Sequence, residues 1–112
     1  MIIIDESQLL KGILEGCVLS IISRGETYGY EILVVLEKYG FKDIYEGTLY
    51  PILTRMEKKN LIKCRMGKSP LGPKRKYYSI TEVGEEYYED FKRIFNEITS
   101  NTFEIINAKG TL

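Results

Sequence analysis

The sequence predicts a mainly α-helical fold with one β-hairpin, in the order helix, helix, short turn, helix, hairpin, long helix. Three observations carry this. Apolar residues recur at steps of three and four from Leu9 to Ile21, from Ile32 to Leu36, from Leu49 to Met56 and from Val83 to Ile105, the spacing of one helix face. Between them, Ile62, Cys64 and Met66 alternate with Leu61, Lys63 and Arg65, a period of two that belongs to a strand. KSPLGPK, residues 68–74, holds two prolines and a glycine and so reads as a loop between two strand arms.

The first helix is expected over about 7–23, with Ser7 as its cap and Leu9, Leu10, Ile13, Leu14, Cys17, Val18 and Ile21 on its apolar face. Gly12 and Gly16, four residues apart, share one face. They either let another backbone close or merely weaken the helix. Arg24 to Glu26 reads as a turn. Thr27 is a good N-cap for a helix over about 28–39, and Gly40 is placed to end it in a left-handed conformation.

GTLYPILTRMEKKNLI, residues 47–62, gives the third helix. Leu49, Ile52, Leu53 and Met56 cluster on one side at about 100° per residue. Gly47, Pro51, Thr54 and Lys58 point the opposite way, flanked by Thr48, Tyr50 and Arg55. Pro51 is tolerated if the helix begins near 47 or 48, because the first-turn N–H groups lack intrahelical partners anyway. Residues 61–80 form the hairpin, with RKYYSI as its second strand. Thr81 caps a final helix to about 107, with Glu82, Glu85 and Glu86 suited to the helix dipole at its first turns. Val83, Tyr87, Phe91, Ile94, Ile98, Thr102 and Ile105 make a near-heptad stripe along it.

The chain has 112 residues, which suits one domain, residues 1–80, with an appended helix and tail, 81–112. No stretch approaches the roughly 20 apolar residues of a membrane span. MIIIDESQLL has no basic region before its apolar residues and does not resemble a signal peptide, so the expected location is the cytoplasm. Cys17 and Cys64 lack metal-ligand spacing and read as free thiols; a redox role for Cys17 is the alternative to a structural thiol. There is no histidine, which removes the commonest general base and metal ligand. No nucleophile–base pairing or phosphate-cradling glycine loop is present either. No catalytic residue, cofactor or metal is therefore expected.

A formal net charge of zero conceals a pattern. Residues 1–41 hold three basic and six acidic side chains, residues 42–78 ten and three, and residues 79–112 three and seven. A basic centre between acidic ends suits a polyanion-binding surface, or a solvated lysine-rich face. Two helices joined by a tight turn, the second with a basic outer face, followed by a basic hairpin, fit a winged helix-turn-helix. The N-terminal residues of a recognition helix face base edges in the major groove. Here these are Thr48, Tyr50, Pro51 and Arg55, with hydroxyls and a guanidinium for phosphate and base acceptors and a proline for a thymine methyl. The wing carries Lys68, Lys74, Arg75 and Lys76 toward the backbone or minor groove of double-stranded DNA.

The final apolar stripe is too long for one small domain to cover. It predicts a homodimer seam of Val83, Tyr87, Phe91, Ile94, Ile98 and Ile105, with Leu10 of the first helix. Two recognition helices would then stand roughly 34 Å apart, for a palindromic site.

YGYEI (28–32), GTLYP (47–51), Leu53, MEKKNLI (56–62) and GPKRKYYSIT (72–81) resemble the PadR family of bacterial transcription regulators, over roughly residues 9–84. The single C-terminal helix resembles the smaller branch of that family. The resemblance implies a dimeric winged-helix repressor, often acting on its own promoter and released by a small molecule. It puts Thr48, Tyr50 and Pro51 on the recognition helix and Lys74 to Lys76 on the wing. Tyr28 matches a tyrosine that either touches a phosphate or packs. Two departures stand out: Tyr45-Glu46 replaces a frequent serine-proline pair, and there is no tryptophan. Drug-binding relatives stack flat aromatic effectors between tryptophans. Here Leu9, Leu10, Ile13, Tyr87, Tyr88, Phe91 and Phe95 would have to line such a cavity, a pattern that a plain dimer seam shares. The rival to DNA binding is a protein-interaction module that uses its long final helix.

Overall fold

The computed structural model describes residues 6–112; the reading of the first five as no leader falls outside them. Four helices and one hairpin follow in order: α1 (Glu6–Ser23), α2 (Gly29–Lys38), α3 (Glu46–Lys58), β1 (Ile62–Ser69), β2 (Gly72–Ile80) and α4 (Glu82–Asn107). This is the winged helix-turn-helix arrangement.

The core lies between α1, α2, α3 and the base of the hairpin. Val18, Leu19 and Ile22 of α1, Ile32 and Leu36 of α2, and Leu49, Leu53 and Met56 of α3 are fully buried there. Leu61, Ile62 and Tyr78 close its floor. In α2 and α3 these are the faces that the helical spacing predicts; α1 instead buries Leu19 and Ile22, which lie outside its expected face, while Cys17 and Ile21 are only partly buried and Leu9 is 66% exposed.

Both short helices end by the same device. Gly40 (φ +99°) and Asn60 (φ +61°) occupy the left-handed region. After α2, Phe41 N–H donates to Leu36 O and Gly40 N–H to Glu37 O, both at 3.0 Å. After α3, Leu61 N–H donates to Met56 O and Asn60 N–H to Glu57 O, again at 3.0 Å. This paired pattern satisfies carbonyls that a helix end otherwise leaves open. It turns the chain sharply and returns an apolar residue, Phe41 or Leu61, to the core.

Three local expectations are corrected. Ser7 lies inside α1, one residue past Glu6, and so does not cap it. Tyr28, not Thr27, is the N-cap of α2, and it makes no side-chain cap bond. Thr27 is instead drawn into the sheet: its N–H donates to Tyr78 O at 3.0 Å and its carbonyl accepts from Tyr78 N–H at 2.7 Å, while its hydroxyl donates to Glu31 Oε1 at 2.5 Å. Two backbone bonds to a neighbouring strand outweigh one cap bond. Pro51, finally, stands in the second turn of α3, because the helix starts at Glu46 with Tyr45 as its N-cap. It cannot donate to the carbonyl of Gly47, four residues back. That position carries no side chain and is exposed, so the missing bond falls on the solvent side.

The hairpin pairs Ile62 with Ile80, Cys64 with Tyr78, Met66 with Lys76 and Lys68 with Lys74, with an irregularity at Lys68/Ser69. Thr81 caps α4 as expected: its Oγ1 accepts from Gly84 N–H at 2.9 Å and its N–H donates to Leu61 O at 3.0 Å. Gly84 is the one buried residue of α4, and a Cβ there would run into the Leu61 carbonyl. Farther on, the Tyr88 hydroxyl donates to Ser20 Oγ at 2.7 Å, and the Phe91 ring fills the notch over Gly16. Of the two α1 glycines, Gly16 thus admits a side chain rather than a backbone, and Gly12 meets nothing.

Candidate nucleic-acid interface

Two elements meet on one side of the molecule. The outward row of α3, Gly47, Pro51, Thr54 and Lys58, is exposed, as are the flanking Thr48 and Tyr50. Beside it stands the hairpin, whose tip exposes Lys68, Lys74 and Lys76. A shallow cleft lined by Tyr28, Tyr50, Arg75, Lys76 and Tyr78 joins the helix to the hairpin. Tyr50 lies close against Gly29, where a Cβ would stand 2.7 Å from its hydroxyl oxygen.

The two flanks of α3 differ. Arg55 leans back toward α1, where its Nε and Nη2 donate to Glu15 Oε2 at 3.2 and 3.0 Å. Lys59 lies 3.6 Å from Glu15 Oε1. Thr48 and Arg55 also border a cleft floored by Leu10, Leu14, Ile44 and Ile52. So Arg55 is on the predicted flank but is already paired. Sequence reasoning missed its partner, since Glu15 stands forty residues away and no local pattern links the two.

Lys58 of α3 and Lys68, Lys74 and Lys76 of the wing form no ion pair among the described residues. Arg65 does, as its Nε and Nη2 donate to the Glu26 carboxylate at 2.7 and 2.6 Å. Its hydrogen bond holds the Glu26 carboxyl below the usual carboxylate range. The Arg75 guanidinium lies 3.9 Å over the Tyr28 ring and donates to Ser69 Oγ. Tyr28 is therefore covered by the wing, and its ring packs edge-on to Tyr77 at 5.9 Å.

The family comparison decides what this geometry belongs to. The sequence profile described as the transcriptional regulator PadR-like family matches residues 18–90. The chain belongs to the PadR-like family of transcriptional regulators. That is a family of DNA-binding regulators rather than of enzymes. The chain is 47% identical, with a TM-score of 0.82, to a crystal structure of a PadR-like transcriptional regulator from Bacillus cereus strain ATCC 14579, covering 92% of this chain and 100% of that one. A Streptococcus transcriptional regulator is 44% identical at a TM-score of 0.80, with 89% and 98% covered. An uncharacterised protein of Lysinibacillus sphaericus is 34% identical over 94 residues, 82% of this chain and 86% of that protein.

On this PadR-like scaffold the final helix presents a second surface. Tyr87, Phe91, Ile94, Phe95 and Ile98 of α4 face Leu9, Ile13 and Gly16 of α1 across an apolar groove of about 620 Å³. Phe91 and Phe95 stack at 5.6 Å. Phe103, Thr99 and Thr102 extend the lining; Phe103 stands on the groove side although the heptad spacing passes over it. Four expected members sit elsewhere. Leu10 borders the α1–α3 cleft. Tyr88 turns toward Ser20. Val83 and Ile105 lie beyond the groove, 48% and 77% exposed.

Among the described residues there is no cluster of groups that could hold a metal ion and no helix long and apolar enough to cross a membrane. Cys17 and Cys64 are free, and burial pushes both thiols up. A raised thiol keeps its proton, which disfavours the reactive thiolate.

Proposed function

We propose that the chain is a sequence-specific repressor that binds a palindromic DNA operator as a homodimer, through α3 and the wing. One observation carries this reading: the exposed row of α3 stands next to a hairpin tip whose three lysines form no ion pair among the described residues. Thr48, Tyr50 and Pro51 meet base edges at the N-terminal end of α3. Lys58, Lys68, Lys74 and Lys76 meet phosphates. Arg55 joins them when Glu15 yields it. Residues up to 80 act as the DNA-binding unit and 81–112 as the dimerisation helix and tail, whose apolar stripe pairs with a second copy. A small aromatic effector in the α1–α4 groove would release the operator.

The test is binding to the DNA just upstream of the chain's own gene, against a scrambled duplex, across a salt series. Specific binding should weaken steeply with salt as counterions are released. Arg55→Ala should relax base preference, and Lys74→Ala should weaken all sequences alike. Absence of binding to either duplex at low salt would overturn the DNA reading in favour of a protein-interaction module built on α4.

A further inference from the structure

The two faces of the wing do different things. Directly opposed residues of an antiparallel pair share a face. Cys64, Met66 and Lys68 therefore share one face with Tyr78, Lys76 and Lys74. This face covers the core at its base and carries the lysines at its tip. Arg65 opposes Tyr77 and Gly67 opposes Arg75 on the other face. There the side chains form a continuous stack. The Glu26 carboxylate holds Arg65, whose guanidinium lies 4.7 Å over the Tyr77 ring. Tyr77 meets Tyr28 edge-on, and Arg75 covers Tyr28 and reaches Ser69. The Tyr77 hydroxyl donates to Lys68 O at 2.9 Å.

We propose that Arg65 and Arg75 are positioning residues of the wing: with Glu26, Tyr28 and Tyr77 they form a brace that fixes the lysine-bearing tip relative to α3. This rests on the DNA-binding reading above. The physical need is plain. Two strands alone are marginally stable in water, and beyond Cys64 and Tyr78 the hairpin has no core beneath it. The brace ties that free portion to residues 26–28, which are themselves fixed by the Thr27–Tyr78 bridge. Gly67 makes the stack possible. A Cβ there would stand 2.7 Å from Arg65 Nη1 and 2.8 Å from the Tyr77 ring. Two of the wing's cations, one of them in the motif GPKRKYYSIT, are thereby turned from the ligand to the fold.

Arg75→Lys decides between this role and a phosphate contact. Lysine keeps the charge but loses the planar guanidinium that stacks on a ring. A positioning role predicts that Arg75→Lys and Glu26→Gln each weaken operator binding about two- to fivefold with the salt slope unchanged. Lys74→Ala lowers that slope by about one contact. Amide hydrogen exchange, read without DNA, should quicken across 67–75 in Arg75→Lys and Glu26→Gln but not in Lys74→Ala. The brace is overturned if Arg75→Lys binds like the parent while Arg75→Ala loses slope, or if exchange at the tip is the same in every variant. If the parent binds no DNA, the functional reading fails, and the exchange measurement alone decides the brace.

Discussion

The winged portion and α4 handle the same problem, apolar surface, in opposite ways. The buried hydrophobic side chains of the core all lie between Leu14 and Tyr78. Helix α4, the longest element, adds only Gly84 to the buried residues, while Ile94, Ile98 and Phe103 are 45%, 58% and 63% exposed. The first region builds its core within one chain. The second carries an amphipathic stripe that one chain does not cover, and a contiguous exposed stripe of this kind marks an interaction surface. Similar helical spacing in the sequence thus gives buried core in one region and an exposed apolar stripe in the other. Only the three-dimensional placement separates them.

The largest expected effect lies in the core. Leu53→Ala should lower unfolding stability by about 2–5 kcal/mol, through lost transfer energy and a cavity. Ile105→Ala, measured at a dilution where the chain is monomeric, should stay within roughly 0.5 kcal/mol. Chemical denaturation compares the two; equal losses would mean that α4 is already covered. Next comes the seam. Ile98→Glu should weaken self-association at least about tenfold, or roughly 1.4 kcal/mol, with the winged portion still folded. Sedimentation velocity reads this, and an unchanged dimer would move the seam elsewhere.

A smaller effect depends on pH. Burial, first of all, pushes the Tyr78 hydroxyl up to about 12 from an ordinary 10. The folded state therefore holds this proton more tightly than the unfolded one. The stability it contributes is complete below pH 10 and is lost as pH rises through 12. Tyr78→Phe should flatten the alkaline decline between those values by about 3 kcal/mol at most, seen in denaturation midpoints against pH. The smallest effect concerns the exposed ion pair. Glu15→Gln frees Arg55 and Lys59 and should raise DNA affinity no more than about fivefold, since half-exposed pairs contribute about 0–1 kcal/mol. A fall in affinity would mean that Glu15 orients Arg55 for the duplex rather than withholding it.

Much of the fold was legible because it is local. Period-three-and-four faces, the period-two hairpin, Gly40 as a helix stop and Thr81 as a cap all depend on neighbours within a few residues. What escaped was what distant residues decide. Thr27 has the chemistry of a cap, but Tyr78 claims its backbone. Pro51 suits a first turn, but Glu46 starts the helix earlier. Arg55 reads as a base-contacting cation until Glu15 arrives from forty residues away. Of the candidate site, the neighbourhood was legible, since α3 and the wing border one cleft as their order implies. The pairing state of its cations was not.

The notch at Gly16 has a mechanical consequence. From Phe91 to Asn107 the helix projects about 24 Å, at about 1.5 Å per residue. A tilt of about 5° where the ring seats moves the far end by about 2 Å over that length. If two arms join along this projection, as the proposed dimer requires, each notch would act as the pivot of a caliper whose jaws are the winged heads. A single methyl group at Gly16 would lift the ring and reset the opening of the jaws.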